Sequence, residues 1–204
     1  MLLYGTIAHA QNITIKGKAH VSHAGKKISV FTYQDYITKY KLLETVDTVE
    51  SDGYFELKMY SKITQPVFVQ IENYIGKLYV RPDYVYGIIF PEIEEEFKHY
   101  ENAELPINLG VVGKDTSELN MMILDYDRLY NYIFLPKNNE FLTHNRLFKK
   151  ADTLKVVCDK RYTKNKDPYF VNYYNYHIAG INASLSRGEK FLISNFILNK
   201  PIQY

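Results

Sequence analysis

The stretch from Leu42 to Tyr60, LLETVDTVESDGYFELKMY, decides how the first half of the chain folds. Leu43, Thr45 and Val46 are followed by Thr48 and Val49, and Phe55, Leu57 and Met59 alternate with Glu56 and Lys58. β-Branched and aromatic residues on alternate positions fit a pleated, half-buried surface. Between the two runs stand Ser51, Asp52 and Gly53. Glycine supplies the positive φ that a tight turn needs, and aspartate tolerates it, so the stretch predicts a hairpin.

The same period of two extends on both sides. Asn12–Ala19 places Ile13 and Ile15 on one face. Lys26–Gln34 places Ile28, Val30 and Thr32 opposite Ser29, Phe31 and Tyr33. Further runs at 66–73, 76–82 and 84–91 are punctuated by Asn73, Gly76, Pro82-Asp83 and Pro91. About seven short strands with no helix between them predict an antiparallel β-sandwich over residues 11–92. Residues 93–114 then break the rhythm and read as a linker. The acidic run Glu92, Glu94, Glu95 and Glu96 stands at its start without the D-x-D-x-D-G spacing of a calcium loop.

From Asp115 the period becomes helical. Asp115, three residues before Glu118, predicts a capping-box start. Leu119, Met122, Ile123, Tyr126, Leu129, Tyr130 and Ile133 then share a face. A second helix is expected from Asn145 to Tyr162, with Ala151, Leu154 and Cys158 inward. Asp167-Pro168 predicts a third start, Pro falling at the first helical position. Residues 189–199, EKFLISNFILN, predict a fourth helix ended by Pro201. The whole is therefore expected to be α+β: a sandwich followed by an antiparallel four-helix module over residues 115–204.

Composition excludes several classes of function. A net charge of +2 over 204 residues gives no basis for nucleic-acid binding, and no apolar run reaches membrane-spanning length. The single cysteine, Cys158, offers neither an internal disulfide nor a C-x-x-C pair and reads as a small buried hydrophobe. Small residues at Ala8 and Ala10 before Gln11 match a signal-peptidase site, so residues 1–10 read as the remnant of an export signal. The expected address is the periplasm or cell envelope.

The search for chemistry ends without catalytic residues, cofactor ligands or a metal site. His20 and His23 share a loop but lack a third ligand. His144 and His177 have no carboxylate at helical spacing. Asp125 and Asp127 are two apart, point to different faces of a helix, and are expected to balance Arg128 and solvent. Ser184 to Arg187 forms no nucleophile motif, and the chain has no nucleotide loop or zinc-protease motif. What stands out is 20 tyrosines with no tryptophan. Tyr169, Tyr173 and Tyr176 fall on one flank of the third helix and form the candidate binding surface, with packing against a neighbouring domain as the other use of such a flank.

The Ala-Gln signal ending, the ITIKGKA strand, and Thr48, Val49, Asp52, Gly53 and Phe55 in the central turn resemble the N-terminal region of exported Bacteroidetes-type TlpA-like thiol–disulfide oxidoreductases. Residues 117–134, 159–184 and 196–204 are similar to the helical insert that precedes the thioredoxin-like domain of that family. The resemblance implies an accessory region whose partner is a thioredoxin-like domain or another envelope protein. It carries no catalytic residue over, because the family's two-cysteine motif is not in this sequence. Two other readings compete: an envelope protein that holds a glycan or peptide through exposed tyrosines, and a metal-dependent enzyme using His20, His23 and the Glu92–Glu96 run.

Overall fold

The computed structural model describes residues 11–92 except 36, residues 103–135 except 114 and 116, and residues 143–185 except 165 and 166. The expected signal remnant at 1–10 and the fourth helix at 189–199 lie outside the described residues. The protein is α+β and divides into two compact units, Met1–Lys114 and Asp115–Tyr204.

The first unit holds β1 (Ile13–Ala19), β2 (Lys27–Tyr33), β3 (Lys41–Thr48), β4 (Tyr54–Met59), β5 (Gln65–Ile71), β6 (Tyr74–Val80), β7 (Tyr84–Phe90), β8 (Leu105–Ile107) and β9 (Gly110–Val112). They form a four-stranded sheet ordered β4-β1-β7-β9 and a five-stranded sheet ordered β3-β2-β5-β6-β8. Alternate residues meet in a shared core that includes Ile13, Ile15, Phe55, Leu78 and Phe90, all fully buried. This is the period of two at work: one face of each strand enters the core while its neighbours face outward.

Three expectations are corrected. The sheets are mixed, not antiparallel, because β1 runs parallel to β7 and β6 parallel to β8. The described residues hold nine strands rather than seven, since part of the expected linker supplies β8 and β9 as edges of the two sheets. And the opening stretch is a corner between sheets, not a hairpin within one: β3 borders the five-stranded sheet and β4 the four-stranded one. The turn has the expected chemistry. Gly53 adopts φ 86°, and Asp52 Oδ1 accepts from the Tyr54 amide at 2.9 Å. What redirects the chain is Val49, 1% exposed, whose amide donates to Lys26 O at 3.0 Å. Burying that side chain turns the backbone inward before the glycine is reached.

Two glycines inside strands are required by close approach. A Cβ on Gly17 would lie 1.8 Å from Ile88 O across the β1–β7 pair. Gly76, read from sequence as a strand boundary, sits inside β6 instead. There a Cβ would lie 2.3 Å from Leu109 Cγ, so the glycine makes room for Leu109 to pack against the core.

The second unit holds α1 (Leu119–Phe134), α2 (His144–Arg161) and α3 (Pro168–Ser184). The N-cap of α1 is Glu118, which accepts from the Met121 amide at 3.1 Å. Asp115 is not the cap; its carboxylate accepts from Ser117 N at 2.8 Å one turn earlier. The start of α3 is as read from sequence: Asp167 accepts from Phe170 N at 2.9 Å with Pro168 at the first position. The three helices pack on one another through Leu119, Tyr126, Ala151, Leu154, Cys158, Phe170 and Ile178, each fully buried. Among the described residues no helix is long and apolar enough to cross a membrane.

Candidate binding surface on the third helix

On α3, Tyr169, Tyr173 and Tyr176 recur at helical spacing, and with Asn172 and His177 they line an open depression of about 350 Å³. The opposite stripe, Phe170, Tyr174 and Ile178, is buried and anchors the helix. Tyr162 and Tyr174 both meet Phe170, at ring separations of 4.8 and 5.6 Å. Burial pushes the Tyr174 hydroxyl up to about 12, and pushes those of Tyr126 and Tyr162 above the usual tyrosine range. All three stay neutral and act as hydrogen-bonding groups.

Two of the side chains lining the depression, Tyr173 and His177, pack against α1. Tyr126, fully buried, lies 2.8 Å from His177 Nδ1 through its hydroxyl and meets the Tyr173 ring edge-on at 5.8 Å. Tyr130 lies against His177 at 4.9 Å. Tyr173 Oη reaches Asp127 Oδ1 at 3.5 Å. His177 is exposed on its outer side, yet desolvation by the surrounding rings lowers its pKa, with Asp127 opposing. The imidazole is therefore neutral at physiological pH. A buried tyrosine hydroxyl best satisfies its proton by donating it, which makes Nδ1 the acceptor and leaves the proton on Nε2. Tyr176 Oη is buried and has no hydrogen-bond partner among the described residues. The lining holds aromatic rings, an amide and a neutral imidazole, and carries no formal charge.

The other sequence candidates are occupied structurally. Asp125 does not balance Arg128: it accepts from Arg161 Nε at 2.9 Å and Nη2 at 2.6 Å, and from Tyr162 Oη at 2.8 Å, tying α1 to α2. Asp127 faces another side of the helix, as their spacing requires. Cys158 is buried, and burial raises its thiol to about 12, so it is an unreactive core group. Ser184 Oγ donates to Ile181 O at 2.8 Å; Ser186 and Arg187 lie outside the described residues, as do Glu94, Glu95 and Glu96 and the His144 side chain.

His20 caps a single helical turn, Val21–His23, whose last residue is His23, rather than lying with it in an open loop. His20 faces Ser22 at 3.0 Å and Glu92 at 3.7 Å. His23, 2% exposed, stands edge-on to Phe90 at 5.3 Å and lies 3.1 Å from Pro91 O through Nε2. That contact requires the proton on Nε2, and desolvation lowers the pKa of the ring. Among the described residues no three histidine, cysteine or carboxylate side chains are placed to hold a metal ion.

The sequence pattern sets His177 beside this flank but gives no sign of Asn172, which continues the stripe that begins at Tyr169. It could not reach the Tyr126–His177 bond, whose partners lie 51 residues apart.

No family model matches the chain, and no curated protein matches it. A solved structure that does match is a 9R-lipoxygenase from Cyanothece PCC8801, at 12% identity and a TM-score of 0.31, covering 78% of this chain and 30% of that one. The chain thus spans less than a third of that protein's length, and a likeness of this depth carries no argument about fold or activity.

Proposed function

We propose that this chain is a non-catalytic, exported accessory region that holds a protein partner on the tyrosine face of α3. In the resembled TlpA-like family that partner is a thioredoxin-like domain. The observation that carries the reading is the uncharged depression formed by Tyr169, Tyr173 and Tyr176 with Asn172 and His177. Tyrosine combines a rigid apolar ring with a polar tip and is enriched where proteins dock. The export signal read at Ala8 and Ala10 supports the envelope address. The sandwich is the scaffold, its two histidines engaged in local contacts.

The test is a titration of the chain, with its tyrosine rings isotopically labelled, by a purified thioredoxin-like domain of the family. Saturable shifts confined to Tyr169, Tyr173 and Tyr176 are expected. Shifts elsewhere, or none at high concentration, would reject this face as the docking site.

A further inference from the structure

The connector between β1 and β2, residues 20–26, passes from the four-stranded sheet to the five-stranded one. Its apolar Val21 is left 60% exposed, while His23 is the only side chain of the segment that is buried. A connector anchored by a titratable group, with an aliphatic one left outside, is held conditionally. We propose that residues 20–26 form an acid-released clamp: closed while His23 is neutral, and detached from the sandwich, with the strands still paired, once His23 takes up a proton.

Two observations carry it. The first is the placement of the two ring nitrogens. Nε2 lies 3.1 Å from Pro91 O and carries the ring proton, because a carbonyl only accepts. Nδ1 is enclosed and has no hydrogen-bond partner among the described residues. A second proton on the closed ring would sit on Nδ1 without an acceptor, in a ring that stands edge-on to Phe90. A buried charge left unpaired is costly, and in the open connector both nitrogens meet water instead. The groups around the ring do not remove the cost. Burial, the largest influence, lowers the His23 pKa; on the connector itself Lys26 and His20 oppose protonation too. The Pro91 carbonyl, at the end of β7, and Glu72, between β5 and β6, favour it. Glu72 is itself held by Lys26 at 2.9 Å, and Glu92 stands 3.7 Å from His20.

The second observation is what the anchor holds. His20 N donates to Phe90 O at 3.1 Å, Gly25 N to Val49 O at 2.9 Å, and Val49 N to Lys26 O at 3.0 Å. These bonds tie the connector to the end of β7 and to the corner at Val49, and they lie outside the paired residues of β1 and β2. The connector can therefore open without unpairing a strand, as local opening below the global unfolding cost requires. A proton bound by the open form alone then shifts the population toward it as pH falls.

The experiment follows amide exchange of the full chain from pH 7 to pH 5, corrected for intrinsic rates, together with the ring nitrogen shifts of His23. The amides of His20, Gly25 and Val49 are expected to lose protection by up to about tenfold per pH unit below 6.5, in step with ring protonation. Ile15 and Val69, inside the strands, should keep theirs. His23→Gln can still donate to Pro91 O but does not titrate, and should keep the connector closed at both pH values; His20→Gln should leave the response in place. Ring protonation with the three amides still protected, or equal loosening at Ile15 and Val69, would overturn the inference. So would a response that survives His23→Gln. Should that variant fail to fold, the coupling of ring protonation to amide exposure in the unaltered chain decides the matter alone.

Discussion

The two units bury their aromatic residues in different surroundings. In the sandwich the core is mostly aliphatic, with Tyr86 accepting from the Arg81 amide at 2.7 Å and the buried His23 touching Phe90 and the Pro91 carbonyl at the margin. In the helical unit the buried Tyr126 bonds His177, while the half-buried Tyr162 bonds Asp125 beside Arg161 nearer the surface. A purely apolar core tolerates many repackings of similar volume. A buried tyrosine also seeks a partner for its hydroxyl, and for Tyr126 that partner is His177 on α3. The sandwich thus relies mainly on aliphatic packing, while the helical unit adds a hydroxyl–imidazole contact between α1 and α3.

The contrast breaks first under truncation of the apolar core. Phe55→Ala should cost the sandwich about 3–5 kcal/mol, as a buried phenylalanine does when it leaves a cavity. Urea unfolding checks it, and a loss below about 1 kcal/mol would mean the core collapses around the gap. In the helical unit the telling change is the loss of one hydroxyl. Tyr126→Phe keeps the ring and deletes the bond to His177, and should cost about 1 kcal/mol. It should also free the histidine tautomer, visible in its nitrogen chemical shifts. An unchanged tautomer would show that the hydroxyl does not set it.

The smallest effect sharpens the comparison through pH. Both His23 and His177 have pKa values lowered from 6.5 by desolvation. Below pH 6.5 the unfolded chain takes up protons that the folded rings refuse. Their stability is therefore complete above 6.5 and falls as pH drops toward the lowered folded values. Around His23 stand Lys26 and His20, which oppose protonation, and Glu72, which favours it. Amide exchange at pH 7 and 5 should show acid loosening in both units. His23→Gln should flatten it in the sandwich alone, and His177→Gln in the helices alone; a response shared by both variants would contradict the assignment.

Much of this architecture was legible in the residues, for reasons that also mark where reading stops. Period-two runs are written locally, so the alternation of Ile13 and Ile15 with polar partners is readable in the sequence, and the structure buries that face together with Phe55 and Leu57. Which strands pair is decided by contacts far apart in sequence, and so the corner at Val49 passed for a hairpin and the parallel β1–β7 pair was missed. Strands of three residues carry too short a pattern to register: LPI and GVV, with a proline and a glycine among six residues, read as linker. The tyrosine stripe could be seen because one helix supplies all of it. The contacts that α1 makes to it could not, because they join residues far apart in sequence.

The Leu109 plug bears on the order in which the sandwich can be completed. β8 joins the five-stranded sheet beside β6, β9 joins the four-stranded sheet beside β7, and Leu109 between them fills the notch above Gly76. These are the last strands of the unit to leave the ribosome. Until they emerge, β6 and β7 present open edges, and an unpaired edge is a template for association with other chains. The segment 105–112 acts as a closing stitch through both sheets at once. A nascent chain that stalls before it is the form of this protein most exposed to self-association.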